Sequence, residues 1–253
     1  MSEQRAANSD ERMAAWLAAL DERHLADLTP SEAARALRAL SSCYVERRAK
    51  VGSALDTAGK RAAFALFYAP LHYLVVREIV RAIPGAANAI TQIHDLGCGT
   101  GAAGAAWAVE CGGPRVSGID RHPWAVTEAN WTYRQLGLDG RAVQGDVDRV
   151  TLGGAPGHAI LAAYTINELP DATRSALLPR LLEAHARGAR VLIAEPIARR
   201  MATWWDAWAD AFAAAGGSAA EWRFKTPLPK RQHDLGRAAG LDPRELTART
   251  LRL

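Results

Sequence analysis

The stretch HDLGCGTGAAG, residues 94–104, places an aspartate directly before glycines at 97, 99 and 101. It follows a short apolar run and precedes an alanine-rich segment of helical character, so it reads as a strand-to-helix turn. Gly97 and Gly99 let the chain turn sharply without a Cβ penalty, and Gly101 lets a helix and a ligand approach the backbone closely. Read literally, GCGTGA also satisfies G-x-G-x-x-G/A, but that pattern alone is as often structural as cofactor-binding. Asp95 narrows the choice. Its carboxylate repels a dinucleotide pyrophosphate and attracts an ammonium group.

Outward from this turn, strands are expected at 91–96, 115–119, 140–144, 158–164 and 189–195, with helices at 101–111, 122–137 and 171–187. Between the third and fourth strands there is room only for a short crossover, 146–156. Strand and helix in alternation mean a parallel sheet covered on both faces. A helix at 198–215, a strand at 221–227, a helix at 230–239 and a final strand LTARTLRL complete the chain. The expected fold class is α/β: a Rossmann-like, doubly wound, mostly parallel sheet with helices on both faces. In such sheets ligands bind beyond the carboxyl ends of the strands where strand order reverses, normally after the first strand.

Residues 10–83 read as helical, with Met13, Trp16, Leu17, Leu20, Leu37 and Leu40 recurring three and four apart. AFALFYAPLHYLVVREIV, 63–80, is too apolar for an exposed helix, and Pro70 is expected to kink or break it. Pro84-Gly85 then punctuates the chain. This predicts an α-helical N-terminal cap region at 1–85 and a ligand-binding domain at 86–253.

Composition excludes several classes. The cysteines, Cys43, Cys98 and Cys111, show no CxxC spacing, so neither a disulfide framework nor a metal cluster is expected, and a cytoplasmic location fits. The start lacks an apolar signal core, and the longest apolar runs fall short of the roughly 20 residues of a membrane span, so no membrane partner is expected. The formal net charge is +4, its excess carried by the C-terminal fifth. There Arg223, Lys225, Lys230, Arg231, Arg237, Arg244, Arg249 and Arg252 form either a basic surface for RNA phosphates or ordinary solvated charge.

Acidic residues recur at strand ends. Asp120 closes the second strand in GID, where a carboxylate can accept from both hydroxyls of a ribose, and Asp146 closes the third in GDV. Each could instead cap the following helix. Taken together, HDLGCGTG, GID and GDV resemble the motifs of class I S-adenosylmethionine-dependent methyltransferases over roughly 90–197. The resemblance implies S-adenosyl-L-methionine as cofactor. Asp95, Gly97, Cys98, Gly99 and Gly101 would serve its methionine end, Asp120 with neighbouring Arg121 the ribose, and Asp146 with Val147 the adenine.

LSSCYVERR, AAFALFYAPLHYLVVREIV, AYTINELP and LIAEPIARR also resemble the methyltransferase-like family that includes mitochondrial small-subunit ribosome-assembly proteins and their bacterial relatives. Long members of that family hold an iron-sulfur cluster on cysteines that EWRFKTPLPK, 221–230, does not have.

Methyl transfer is an in-line displacement, so the protein must align the acceptor and remove any proton from it. The acceptor end is expected at 163–170, AYTINELP. Tyr164, Asn167 and Glu168 are the catalytic candidates, with Glu168 as base and Asn167 orienting the acceptor. Alternatively Asn-Glu-Leu-Pro-Asp caps the next helix. Glu195 is expected to make a structural hydrogen bond nearby. Tyr68 and His72 either cover the site or belong to the core. Trp204, Trp205, Trp208 and Phe212 read as one apolar helix face. The expected function is a methyltransferase acting on a small-molecule substrate or rRNA. The alternative is a non-catalytic cofactor-binding ribosome-assembly or RNA-binding factor. A nicotinamide oxidoreductase is disfavoured by Asp95.

Overall fold

The computed structural model describes residues 3–26, 28–46, 55–197, 202–241 and 244–253. The motif positions 47–48 and 198–200 lie outside the described residues. Seven strands form one sheet in the order β3-β2-β1-β4-β5-β7-β6. They are β1 Gln92–Leu96, β2 Arg115–Asp120, β3 Gly140–Gln144, β4 His158–Ala163, β5 Arg190–Glu195, β6 Ser218–Phe224 and β7 Leu246–Arg252. The first five are parallel, and β7 runs antiparallel between β5 and β6. Strand order reverses between β1 and β4, which places the glycine turn at the switch point. β4 (HAILAA) and β5 (RVLIAE) are almost wholly buried because helices cover both faces.

On one face lie α4 Ala69–Ala82, α5 Ala102–Cys111 and α6 Pro123–Gln135, with α1 Glu3–His24 and α2 Pro30–Glu46 outside them. On the other lie α7 Asp171–Ala186 and α8 Trp205–Ala214. The expected β1 to β5 ends agree to within a residue. β6 starts earlier than expected and stops at Phe224, because full pairing with β7 runs from Ser218↔Arg252 to Phe224↔Leu246. Past it Pro227 has no N–H to give a ladder. The helix expected at 198–215 is seen as α8, from Trp205.

No helix intervenes between β3 and β4. Arg180 of α7 holds this connection, donating to the carbonyls of Val147, Asp148 and Val150. Val147 and Leu152 reach from it into the core.

The stretch expected to kink or break at Pro70 is not broken there. α3 Ala58–Ala63 passes through a single π turn, Phe64–Tyr68, into α4. Pro70 cannot donate to the carbonyl of Leu66, one turn back. Gln232, buried on α9 Lys230–Ala239, supplies that donor from its side-chain amide at 2.8 Å. The wider turn and the borrowed donor remove the reasons for a break. The rod 58–82 is long and apolar enough to span a membrane by length and composition alone, and 78% of its apolar window is buried inside the protein, as in a core helix.

The helical region and the sheet share one buried core, in which Trp16 and Tyr73 pack 5.3 Å apart and Val76, Ile79, Ile93 and Ala105 are sealed from solvent. Polar clamps reinforce the contact. Glu110, fully buried on α5, accepts from Ser9 at 2.6 Å and from both arms of Arg81 at 3.0 Å. Arg23 and His24 at the end of α1 bind Glu128 of α6, and Arg231 binds Asp21.

Candidate active site

β1 ends in Asp95 and Leu96, and the chain then turns through Gly97, Gly99 and Gly101 at φ of +65°, +52° and +77°. These angles are strained for any residue with a Cβ. Space forbids one as well: at Gly97 it would sit 2.4 Å from Thr165 Cγ2, and at Gly101 2.8 Å from Tyr133 Cε1. Gly99 is different. Its nearest neighbour would be Phe64 Cζ at 3.9 Å, so there is room above the loop.

The acidic residues are distributed around this turn. Asp120 accepts from the backbone N–H of Gly99 at 2.9 Å and of His122 at 2.8 Å, one on each carboxylate oxygen. Each oxygen keeps capacity for a second bond. Asp95 is 1% exposed and accepts from Gly104 N at 3.1 Å, tethering the first turn of α5. Burial, and secondarily the charge of Asp120, pushes its carboxyl up to about 7. Asp146 lies at the end of β3 with no helix behind it to cap, and Arg121 approaches it at 4.0 Å. Val147 beside it is buried. The Cys98 thiol lies against Gly118 and Tyr133 and donates to the Gly99 carbonyl at 3.7 Å. Burial, then the charges of Asp95 and Asp120, raises its pKa, so it remains a thiol.

The rod 58–82 roofs the loop. Phe64, Tyr68 and His72 stand on one stripe of it, with ring centroids about 6 Å apart. His72 stacks on Tyr164 at 4.0 Å and 14°. Enclosure among these rings lowers the His72 pKa to about 3, so the imidazole is neutral at physiological pH. Burial raises the Tyr68 and Tyr164 hydroxyls, so both remain protonated. Tyr164 holds φ of +58°, a left-handed conformation costly for an aromatic residue. The stack and its N–H bond to Ala194 O at 2.7 Å keep it there.

Past Tyr164 the chain makes a 3-10 turn, Ile166–Glu168. Glu195, buried at the end of β5, accepts from Ile166 N at 2.7 Å, Asn167 N at 3.2 Å and Asn167 Nδ2 at 2.7 Å. Burial pushes Glu195 up to about 8, against the pull of those donors. The Asn167 carbonyl accepts from Trp204 Nε1 at 3.0 Å. Asn167 is therefore spoken for on both sides, and α7 starts without a side-chain cap. Glu168 keeps an exposed surface while its carboxyl packs among protein atoms, and that partial desolvation, then the like charge of Asp120, pushes it up to about 7, opposed by Arg121.

The structure thus brings the glycines and Asp120 together at the switch point, with Asp95 buried against Gly104, Phe64 over Gly99 and packed with Tyr68 and His72, Tyr164 stacked on His72, and Glu168 within reach of the charge of Asp120. Arg121 and Asp146 flank Asp120. Thr165 is not singled out by sequence, yet its hydroxyl reaches the carbonyls of Leu96 and Gly97 at 3.0 and 3.2 Å and ties the glycine loop to β4. Only its place directly after a strand end could have signalled this. Trp204 reads as apolar packing in the sequence, and nothing in its spacing reveals the bond to Asn167. Of the basic residues of the last fifth, Arg231 binds Asp21, Lys230 binds Asp234, Arg223 approaches Glu245, and Arg249 is buried against Trp205. No group of three or more His, Cys, Asp or Glu side chains suited to a metal is found among the described residues.

Residues 93–188 match a family model described as a methyltransferase domain. Among solved structures, the mitomycin 7-O-methyltransferase MmcR aligns with a TM-score of 0.52 and 14% identity, over 83% of this chain and 59% of that one. The magnesium protoporphyrin IX methyltransferase of Synechocystis PCC 6803 aligns with a TM-score of 0.48 and 18% identity, over 72% and 78%. No curated protein matches the chain, so the resemblance to ribosome-assembly relatives rests on its sequence motifs alone. The chain has the Rossmann-like methyltransferase fold, and residues 93–188 carry the methyltransferase-domain match.

Proposed function

We propose that the chain is an S-adenosylmethionine-dependent methyltransferase whose acceptor is a small metabolite or rRNA. The observation that carries the reading is Asp120, which braces the glycine loop at the switch point and keeps hydrogen-bonding capacity on both oxygens. The residues present fit the cofactor. Over Gly99 an added carbon meets nothing nearer than Phe64 Cζ at 3.9 Å, which supports a ligand approaching the backbone there, and the pair of oxygens on Asp120 suits a ribose diol. Asp95, buried with one N–H partner and held near neutrality, gains from a nearby ammonium group.

When bound, S-adenosylmethionine supplies a sulfonium methyl group open to in-line displacement. The backbone of Gly97 to Gly101 takes the methionine end, Asp120 the ribose, and Asp146 with the backbone at Val147 the adenine, with Arg121 alongside. Phe64, Tyr68, His72 and Tyr164 close the cleft from above and exclude water. Glu168, with a carboxyl near 7, takes the proton from an acceptor O–H or N–H at neutral pH.

Calorimetry tests the reading directly. S-adenosylmethionine and S-adenosylhomocysteine are expected to bind at micromolar strength, and Asp120→Ala to abolish this while the protein remains folded by circular dichroism. Failure of both ligands to bind the intact chain removes the assignment. Methyl incorporation into total RNA, compared with metabolite extracts, then separates the two acceptor classes.

A further inference from the structure

We propose that Trp204, Asn167 and Glu195 form a one-way hydrogen-bond chain that holds the turn Ile166–Glu168 and so sets Glu168 beside Asp120 and Arg121. Glu195 and Asn167 are then positioning residues rather than groups that touch the acceptor. The direction of the chain follows from chemistry. An indole N–H can only donate, so the atom of Asn167 facing Trp204 must be its carbonyl oxygen. That choice turns the Asn167 N–H2 toward Glu195, whose facing oxygen must accept. The other oxygen of Glu195 takes the two backbone N–H groups of the turn. Each link fixes the next, from the N-cap of α8 to the residue before Glu168.

The arrangement is closed to water at its inner end, since Glu195 is 0% exposed and Trp204 only 9%. The titratable and charged groups around Glu195 and its partners among the described residues are Glu168 on the turn, Tyr164 at the end of β4, Arg249 on β7, directly opposite in register, and Arg174 on α7, which donates to the Ile166 and Leu169 carbonyls and lies over the Trp204 ring. Burial favours the neutral form of Glu195, while the three N–H donors and Arg249 favour the anion. Ionisation of Glu195 strengthens the acceptor at Asn167 and hence the bond from Trp204.

The chain is tested on the full-length protein without ligand. The Trp204 indole N–H resonance is assigned as the one lost in Trp204→Phe. It is expected to move downfield as pH rises through the titration of Glu195. In Glu195→Gln the new amide N–H2 faces the N–H2 of Asn167, donor against donor. The indole resonance then moves upfield, and the Ile166 and Asn167 amides exchange about tenfold faster, the value of roughly one buried hydrogen bond.

Adding Asn167→Asp to Glu195→Gln restores donor to acceptor at every link, and is expected to return the indole resonance and the exchange rates toward wild type. An indole signal indifferent to pH and to Glu195→Gln overturns the proposal, as does a double variant no better than the single one. If Glu195→Gln does not fold, Trp204→Phe alone must still speed exchange at Ile166 and Asn167, and an unchanged rate there overturns the chain. The use made of Glu168 rests on the methyltransferase reading. That reading stands or falls by cofactor binding at Asp120, a separate measurement.

Discussion

At the scale of single residues, the site is governed by where a side chain cannot exist and where a charge is unwelcome. Gly97 combines φ of +65° with a Cβ position 2.4 Å from Thr165. Gly97→Ala is therefore expected to destabilise the fold by roughly 2 to 4 kcal/mol, through backbone strain and displacement of Thr165, and to abolish cofactor binding. Urea unfolding and calorimetry measure the two effects. Asp95 provides a pH signature. Its folded pKa of about 7 lies above the unfolded value, so its contribution to stability is fully present below about pH 4 and is lost as pH rises through 7. Asp95→Asn keeps the shape without the ionisation. Its melting temperature relative to wild type is expected to climb between pH 5 and 8, and a difference flat across that range refutes the burial of an ionising carboxyl. Asp95, the glycines and Asp120 are legible in the sequence because strand ends and glycine turns leave local patterns. Thr165 and Trp204 are not, because their partners lie on other strands and helices, and a hydrogen bond over 37 residues leaves no spacing to read.

At the scale of elements, local pattern locates the parallel strands well, since short apolar runs between amphipathic helices have a single reading. It fails at Pro70, where the deciding partner is distant in sequence. The Leu66 carbonyl that Pro70 cannot serve is served by Gln232, 166 residues away. A double-mutant cycle exposes this dependence. Gln232→Leu is expected to cost about 1 to 3 kcal/mol by leaving a buried carbonyl unpaired. With Pro70→Ala in the background the cost is expected to shrink, because the substituted alanine regains an N–H for Leu66. Equal costs in the two backgrounds would show that Gln232 stabilises by packing alone. The β3–β4 connection teaches the same lesson from the opposite side. The sequence leaves no room for a helix there, and Arg180 holds the short crossover by its carbonyls.

At the scale of the whole molecule, the helices 3–82 and the sheet are bound by one core and by buried or half-buried ion pairs at Glu110, Glu128 and Asp21. The sequence suggests a cap and a domain divided near residue 85. A core shared across that point predicts one calorimetric unfolding transition, with Trp16→Ala lowering all of it together. Two separated transitions, with only one sensitive to Trp16→Ala, would contradict this. The rod 58–82 gives the shared core a further meaning. Its first half forms the ceiling over Gly99, and its second half, with Val76 and Ile79, is a beam of the building itself. The ceiling is thus anchored in the core, so a substitution at Val76 or Ile79 that shifts the beam is expected to shift Phe64 over the glycine turn as well.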